Sequence, residues 1–211
     1  MYKEINLYDT TLSEDDVINA VFLAIGMDIS NIFIPAYYLS KIRSIVPSEI
    51  KLACPVDYPH GLGDTHIRQH GCISACNRGA NFIDLVINPV YFLNCEKQKL
   101  TADVKSHIKI CEDKNVELRA MLDYRIYGDS LIYSCVNTLA DLGITTISPS
   151  TGEFAEDYTD NLIMCQTISN KNPKVHTIYN NYSCSKEQFA NLKKAKIFGV
   201  RLKSYNMVYT N

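Results

Sequence analysis

The sequence predicts a single α/β domain, 1–211, closed as a (β/α)8 barrel whose last helix is short or missing. Eight short β-rich runs alternate with helical patterns along the whole chain. That is the order of βα units around a parallel sheet, not of an α+β layout. The length of 211 residues falls at the lower end of the roughly 200–250 residues that such a barrel takes. After the eighth run only the segment from Lys203 to Asn211 is left, too short for a loop and a full helix.

The elements follow in order. The first run, Ile5–Tyr8, precedes a helix opened by Ser13 and Asp16, a capping-box pair whose side chains satisfy orphan amides of the first turn. Asn31–Ile34 and Lys51–Val56 are the second and third runs, and Phe82–Ile87 the fourth. The helix after it repeats apolar residues at three and four, as Val104, Ile108 and Cys111. Glu117–Leu122 is followed by Leu131, Cys135 and Leu139 on another such face, and Thr145–Ser148 is the sixth run. Lys174–Ile178 leads to a second capping box, Ser185 with Gln188, and Phe198–Leu202 closes the count. The apolar helix faces are expected to cover the sheet. No linker, low-complexity tract or close internal repeat interrupts the alternation.

Composition narrows the function classes. With 21 Lys+Arg against 23 Asp+Glu, the formal charge of -2 leaves no electrostatic footprint for nucleic acid or an anionic membrane. Apolar stretches such as Ile29 to Tyr38 fall short of the ~20 residues that span a bilayer. Met1-Tyr2-Lys3-Glu4 is too polar to open a secretory signal. A cytoplasmic location is expected, the host's cytoplasm if the chain is viral, as an Ile-, Lys-, Asn- and Tyr-rich sequence from an AT-rich genome can be. The eight cysteines are scattered in apolar segments, with only Cys72 and Cys76 close together and no C-x-x-C pair. They read as reduced core residues, and neither a metal nor a cofactor is expected.

Pro55-Val56-Asp57-Tyr58-Pro59-His60-Gly61, then a helix, then Asn81-Phe82-Ile83-Asp84-Leu85-Val86-Ile87-Asn88, closely resembles the third and fourth strands of deoxyribose-phosphate aldolases. Tyr8-Asp9-Thr10-Thr11-Leu12 is similar to that family's D-H-T-L-L opening, and Ser150-Thr151-Gly152 to the S-T-G ending its sixth strand. The resemblance is strongest from Cys54 to Asn94 and weak after Gly152. It implies a TIM barrel and a reversible class I aldol cleavage of a phosphorylated deoxysugar. In the family a lysine ending strand six forms the imine, a lysine on strand seven lowers its pKa, and an aspartate on strand four moves protons. Such chemistry needs an amine held largely unprotonated at a dry barrel mouth.

Against the family's K-T-S-T-G this chain reads Ser148-Pro149-Ser150-Thr151-Gly152, so Ser148 stands at the imine-forming position. The second lysine aligns with His176 in Val175-His176-Thr177-Ile178-Tyr179-Asn180, where bulkier residues replace the glycines. The final phosphate turn is replaced by Lys203-Ser204-Tyr205-Asn206. The resemblance still implies roles for Asp84, Asp9 and Asn88, and for Ser150, Thr151, Gly152 and Ser204 as substrate- or phosphate-binding positions.

Each candidate has a plain structural counterpart. Asp84 and Asp9 are proton carriers at the mouth or hydrogen-bonded structural carboxylates. His176 is a general base or a hydrogen-bonding core residue. Lys203, at the end of the last strand, reaches the mouth to form an imine or is a solvated surface lysine. His66 and His70 have metal-binding spacing but fall on an outer helix. Walker, G-x-S-x-G and G-x-G-x-x-G motifs are lacking.

The expectation is an aldolase-like barrel that has lost Schiff-base chemistry and serves as a binding, scaffolding or assembly protein. The alternative is a lyase acting on a small phosphorylated carbonyl compound through Lys203, His176 and Asp84. Without an eighth helix, Ile5, Leu7, Ile197, Val200 and Leu202 are expected to leave an apolar seam between strands eight and one. A second copy, a larger assembly or the tail 204–211 would cover it.

Overall fold

A computed structural model of the chain describes residues 1–154, 157–181, 184–195 and 197–203. Eight parallel strands close into one barrel in sequence order: β1 Tyr2–Asn6, β2 Asn31–Phe33, β3 Lys51–Val56, β4 Phe82–Val86, β5 Glu117–Met121, β6 Thr146–Ser148, β7 His176–Asn181 and β8 Gly199–Lys203. Pairing of β1 with β8, Tyr2 with Gly199 through Asn6 with Lys203, closes the ring. The helices are α1 Glu14–Gly26, α2 Leu39–Ile45, α3 Thr65–Asn77, α4 Pro89–Leu93, α5 Lys97–Asp113, α6 Asp129–Asp141, α7 Tyr158–Lys171 and α8 Lys186–Lys194. Two of them, α4 and α5, share the β4–β5 connection. Among the described residues none follows β8. This is the expected (β/α)8 barrel; the segment after β8, where its last helix was expected to be short or missing, lies outside the described residues, and no helix among those described is long and apolar enough to cross a membrane.

Both capping boxes form, with Ser13 and Asp16 bonding reciprocally at the start of α1 and Ser185 and Gln188 at the start of α8. The first and seventh strands are placed differently from their sequence reading, for one reason. β1 begins at the polar Tyr2-Lys3-Glu4, and β7 runs on through Asn180 and Asn181. In a closed barrel the inward positions need not be apolar when their polar groups find partners across the lumen. Period-two apolar runs therefore misjudge those ends.

Outward residues such as Ile5, Ile32, Leu85 and Ile147 pack under the helices in the main core. A smaller cluster of Cys165, Tyr179, Phe189, Leu192, Val200 and Leu202 covers the β7–β8 side. Ile5, Leu7, Ile197, Val200 and Leu202 are all buried, none more than 6 % exposed. Ile5 and Leu7 belong to the main core, and Ile197, Val200 and Leu202 pack with residues of α7 and α8. The tail 204–211, with Ser204, lies outside the described residues.

The turn after β3 depends on Gly61. Its φ is +71°, and a Cβ there would lie 2.9 Å from the carbonyl oxygen of Ile87. Gly61→Ala combines left-handed strain with a backbone collision, and is expected to lower stability by roughly 1–3 kcal/mol. Urea titration followed by far-ultraviolet circular dichroism checks this, and an unchanged midpoint would show that the turn relaxes freely.

Candidate active-site mouth

Inward positions of four strands hold a cluster of charges. Glu4 on β1, Asp84 on β4, Arg119 on β5 and Arg201 on β8 are each buried, 0–3 % exposed. Strand register puts Asp84 beside Arg119 and Glu4 beside Arg201. Arg119 grips Asp84 with two nitrogens, Nε donating to Oδ1 at 2.8 Å and Nη2 to Oδ2 at 2.6 Å. Arg201 Nη2 donates to the same Oδ2 at 2.8 Å, and Arg201 Nε donates to Glu4. Arg119 Nη2 also reaches Glu4 Oε1 at 3.1 Å, and its Nη1 donates to the Tyr2 hydroxyl at 2.9 Å. Arg201 stacks over Phe33 and Arg119 over Phe82, with guanidinium carbons 4.0 and 4.4 Å from the ring centroids.

Two carboxylates and two guanidiniums cancel in formal charge, which is how such groups tolerate a dry interior. Burial pushes the Asp84 carboxyl upward, but the charges and hydrogen bonds of Arg119 and Arg201 outweigh it and hold it below the ordinary aspartate value. Three charge-assisted hydrogen bonds from Arg119 and Arg201 thus favour the ionised form of Asp84. Arg119 and Arg201 escaped notice in the sequence. Their signal was present, since each sits between apolar neighbours in a strand, Leu118 and Ala120 or Val200 and Leu202.

Above this layer, Phe33, Ala53, Val86 and Met121 fill the lumen with Tyr8 and Tyr58 packed on them. Tyr8 and Tyr58 rings lie 4.6 Å apart, and Phe33 is 5.9 Å from Tyr58. The Tyr58 hydroxyl spans to the loop after β6, donating toward the Thr151 carbonyl at 3.0 Å and the Glu153 carboxylate at 3.1 Å. On the β8 side, Lys203 Nζ donates to the Tyr8 carbonyl at 3.1 Å and lies 3.4 Å from Asp9 Oδ2. Its side chain is 4 % exposed. Asp9 accepts from the Thr11 amide at 3.0 Å and hydroxyl at 2.7 Å. The two Thr11 donors hold the Asp9 carboxyl below its usual value, with Lys203 adding to the effect.

Ser148 ends β6, buried beside Met121, on the face opposite outward Ile147. The Ser150-Thr151-Gly152 loop is tied down: the Gly152 amide donates to Ser150 Oγ at 2.8 Å, and Asn180 Nδ2 donates to the Thr151 carbonyl at 2.6 Å. Gly152 is required there, since at φ +72° a Cβ would meet Asn180 Oδ1 at 2.7 Å. That Asn180 oxygen is buried with no hydrogen-bond partner. Asn88 caps α4, accepting from the Val90 amide at 2.9 Å.

His176 is misplaced by the sequence reading. It opens β7 at the barrel floor, exposed and stacked 4.5 Å from Phe198, which stacks in turn on Tyr2. A residue at the N-terminal end of a strand faces away from the mouth, so His176 cannot join Lys203 and Asp84 there. His66 and His70 are exposed on α3.

Among the described residues, two clefts open at the rim of the mouth. One of about 260 Å³ is lined by residues including His60, Leu62, Asp123, Arg125, Tyr127 and Phe154, from the loops after β3, β5 and β6. The other, about 220 Å³, lies by Tyr8, Asp9, Tyr37 and Tyr38. The first cleft was not foreseen, because its walls come from separate loops.

No family model matches this chain. Curated relatives do: a deoxyribose-phosphate aldolase of Treponema denticola is 24% identical over 152 residues, 72% of this chain and 70% of its own length. A second, from Mannheimia succiniciproducens, is 22% identical over 139 residues, 65% of this chain and 61% of its own. This chain is an aldolase-like barrel similar in sequence to deoxyribose-phosphate aldolases. Solved structures agree on the fold of the aldolase-like chain. The aldolase QR15 superposes with a TM-score of 0.86 at 16% identity, covering 96% of this chain and 90% of its own. The tetrameric deoxyribose phosphate aldolase of Aeropyrum pernix gives 0.85 at 15% identity, covering 96% and 86%.

The charge cluster is expected to make the aldolase-like barrel acid-sensitive. A carboxylate whose folded pKa is depressed stabilises the fold above its unfolded value of about 3.9. That contribution is lost as pH falls through the lower folded value. Asp84→Asn leaves two buried guanidiniums facing one carboxylate, and is expected to cost roughly 3–5 kcal/mol near neutral pH. Urea melts from pH 7 down to 3 should show the gap between wild type and variant closing at the acid end. A gap independent of pH would mean that Asp84 contributes by shape alone.

Proposed function

We propose that this aldolase-like barrel has given up Schiff-base chemistry and acts as a binding or assembly component through its C-terminal face. The observation that carries the proposal is Asp84. A proton carrier has to gain and lose its proton during turnover, whereas this carboxylate accepts three charge-assisted hydrogen bonds from Arg119 and Arg201 inside the barrel. Ser148 supports it, because a hydroxyl cannot form an imine where the resemblance places the lysine. Tyr8, Phe33 and Tyr58 pack over the lumen and narrow the way down to Asp84. The loops around the mouth carry exposed apolar side chains, Tyr37, Leu62, Leu93 and Ile126, which suit contact with another chain. A homo-oligomer or larger assembly is the expected partner, in line with the tetramer described for the Aeropyrum protein.

A second activity is favoured by one observation. Lys203 Nζ stands at the mouth beside Asp9, where an amine and a carboxylate are the pair that an aldol lyase on a small phosphorylated carbonyl compound would need. In its present arrangement Nζ donates to the Tyr8 carbonyl and faces the Asp9 carboxylate, whereas a nucleophile must offer a lone pair.

Borohydride reduction in the presence of a panel of aldehydes and ketones, read by intact mass, separates the two. No adduct is expected, and no cleavage of deoxyribose 5-phosphate above a buffer blank. A reduced adduct on Lys203 would replace the first proposal with the lyase. Ser148→Lys alone is expected to restore nothing, because Pro149 follows it and ion-paired Asp84 lies below, leaving the new amine without the partners that position and deprotonate it. Recovery of cleavage by that single change, in the same assay, would show that the rest of the pocket is intact.

A further inference from the structure

On the outside of the barrel, where α3 packs against α5, three thiols converge. Cys72 and Cys76 stand four apart on one face of α3, and Cys111 faces them from α5. Their sulfurs all lie within 4.8 Å of one another, with Cys72 and Cys111 3.7 Å apart. Two thiolates on a four-coordinate metal at ~2.3 Å would be ~3.8 Å apart. All three residues are buried, Cys76 the least so at 9 % exposed, and none of them takes part in the mouth.

A second observation points to a ligand. His107, one turn before Cys111 on α5 and fully buried, sets Nδ1 2.8 Å from the Asp103 carbonyl. A carbonyl only accepts, so Nδ1 carries the proton and Nε2 carries the lone pair of the neutral ring. Burial favours that neutral form, holding His107 below the ordinary histidine value. Nε2 has no hydrogen-bond partner. A histidine oriented through Nδ1 by a carbonyl, with Nε2 bare, is the arrangement that metal-binding histidines share. Asp103 is itself fixed by Arg68 of α3 at 2.7 Å, so the two helices are locked in register beside the thiols.

We propose that Cys72, Cys76 and Cys111 form a binding site for a thiophilic d10 cation, zinc or copper(I), between α3 and α5. Each thiol that ligates releases its proton to water, and the sulfur lone pair makes the bond to the metal; no oxidation state changes. Soft thiolate donors select these ions over magnesium, calcium or manganese. Zinc takes four donors in a closed site; His107, one turn from Cys111, lies outside the group of atoms within 4.8 Å of one another and would have to turn toward the thiols to become the fourth. Copper(I) is satisfied by the three sulfurs.

The test uses the full chain, reduced and metal-stripped, under anaerobic conditions. One equivalent of cobalt(II), a spectroscopic stand-in for zinc, is expected to raise thiolate-to-metal charge-transfer bands that zinc then removes. Copper(I), delivered from a competing chelator, is expected to be retained at one equivalent. Cys76→Ser should weaken uptake at least tenfold while Cys95→Ser, at an exposed cysteine, leaves it unchanged. Because a buried substitution can disturb folding, wild-type alkylation is mapped by mass as well: metal is expected to protect Cys72, Cys76 and Cys111, not Cys95. Weaker zinc uptake in His107→Ala supports the four-donor form, and uptake indifferent to that change supports the three-thiolate form. Wild type that takes up none of the three metals at one equivalent overturns the proposal. So does uptake that Cys76→Ser leaves intact, or absence of protection at the three cysteines.

Discussion

Glu4, Asp84, Arg119 and Arg201 meet inside the barrel, and the interior is arranged around keeping their charges matched. Each comes from a different strand, so the cluster ties β1, β4, β5 and β8 across the lumen. Removing a charge from water is costly, and only opposite charges with well-aimed hydrogen bonds offset that cost. The parallel register that places Asp84 beside Arg119 and Glu4 beside Arg201 is therefore held electrostatically as well as by the backbone ladder. Phe33 and Phe82 complete the arrangement by stacking against the guanidiniums.

The mouth inherits its character from that cluster. Phe33 is shared between Arg201 below and the aromatic group of Tyr8 and Tyr58 above, so the floor and the plug are one packed unit. Tyr58 then fixes the loop after β6, and Asn180 holds the same loop from β7. Lys203 and Asp9 lie to one side of this plug. What remains open are clefts at the rim, built from loops.

The outer layer carries a separate set of polar contacts. Arg68, Asp103 and His107 link α3 and α5 without reaching the lumen, and the three cysteines continue the same seam downward. Arg68 also connects the seam to the barrel, donating to the Val86 carbonyl at 2.6 Å and lying 3.2 Å from Asp57 in the turn after β3.

The fold was legible in the sequence because the alternation of β-rich runs with three-and-four periodic helices depends on local composition, which each segment carries by itself. The two capping boxes were legible for the same reason, and the aldolase resemblance rested on contiguous motifs around Asp57–Gly61 and Asp84. The sequence also marked Lys203 and Asp9 as candidates, though not that they meet, since they lie at opposite ends of the chain. Tertiary structure alone decided the rest. Asp84 became an ion-paired carboxylate only when β5 and β8 brought Arg119 and Arg201 to it. His176 went to the barrel floor because β7 starts later than its apolar residues suggest. The thiol cluster formed because two separate helices set Cys111 against Cys72 and Cys76. Charge pairing, exposure and metal-ligand geometry are properties of distances between segments, and no one-dimensional spacing encodes them until the barrel has closed.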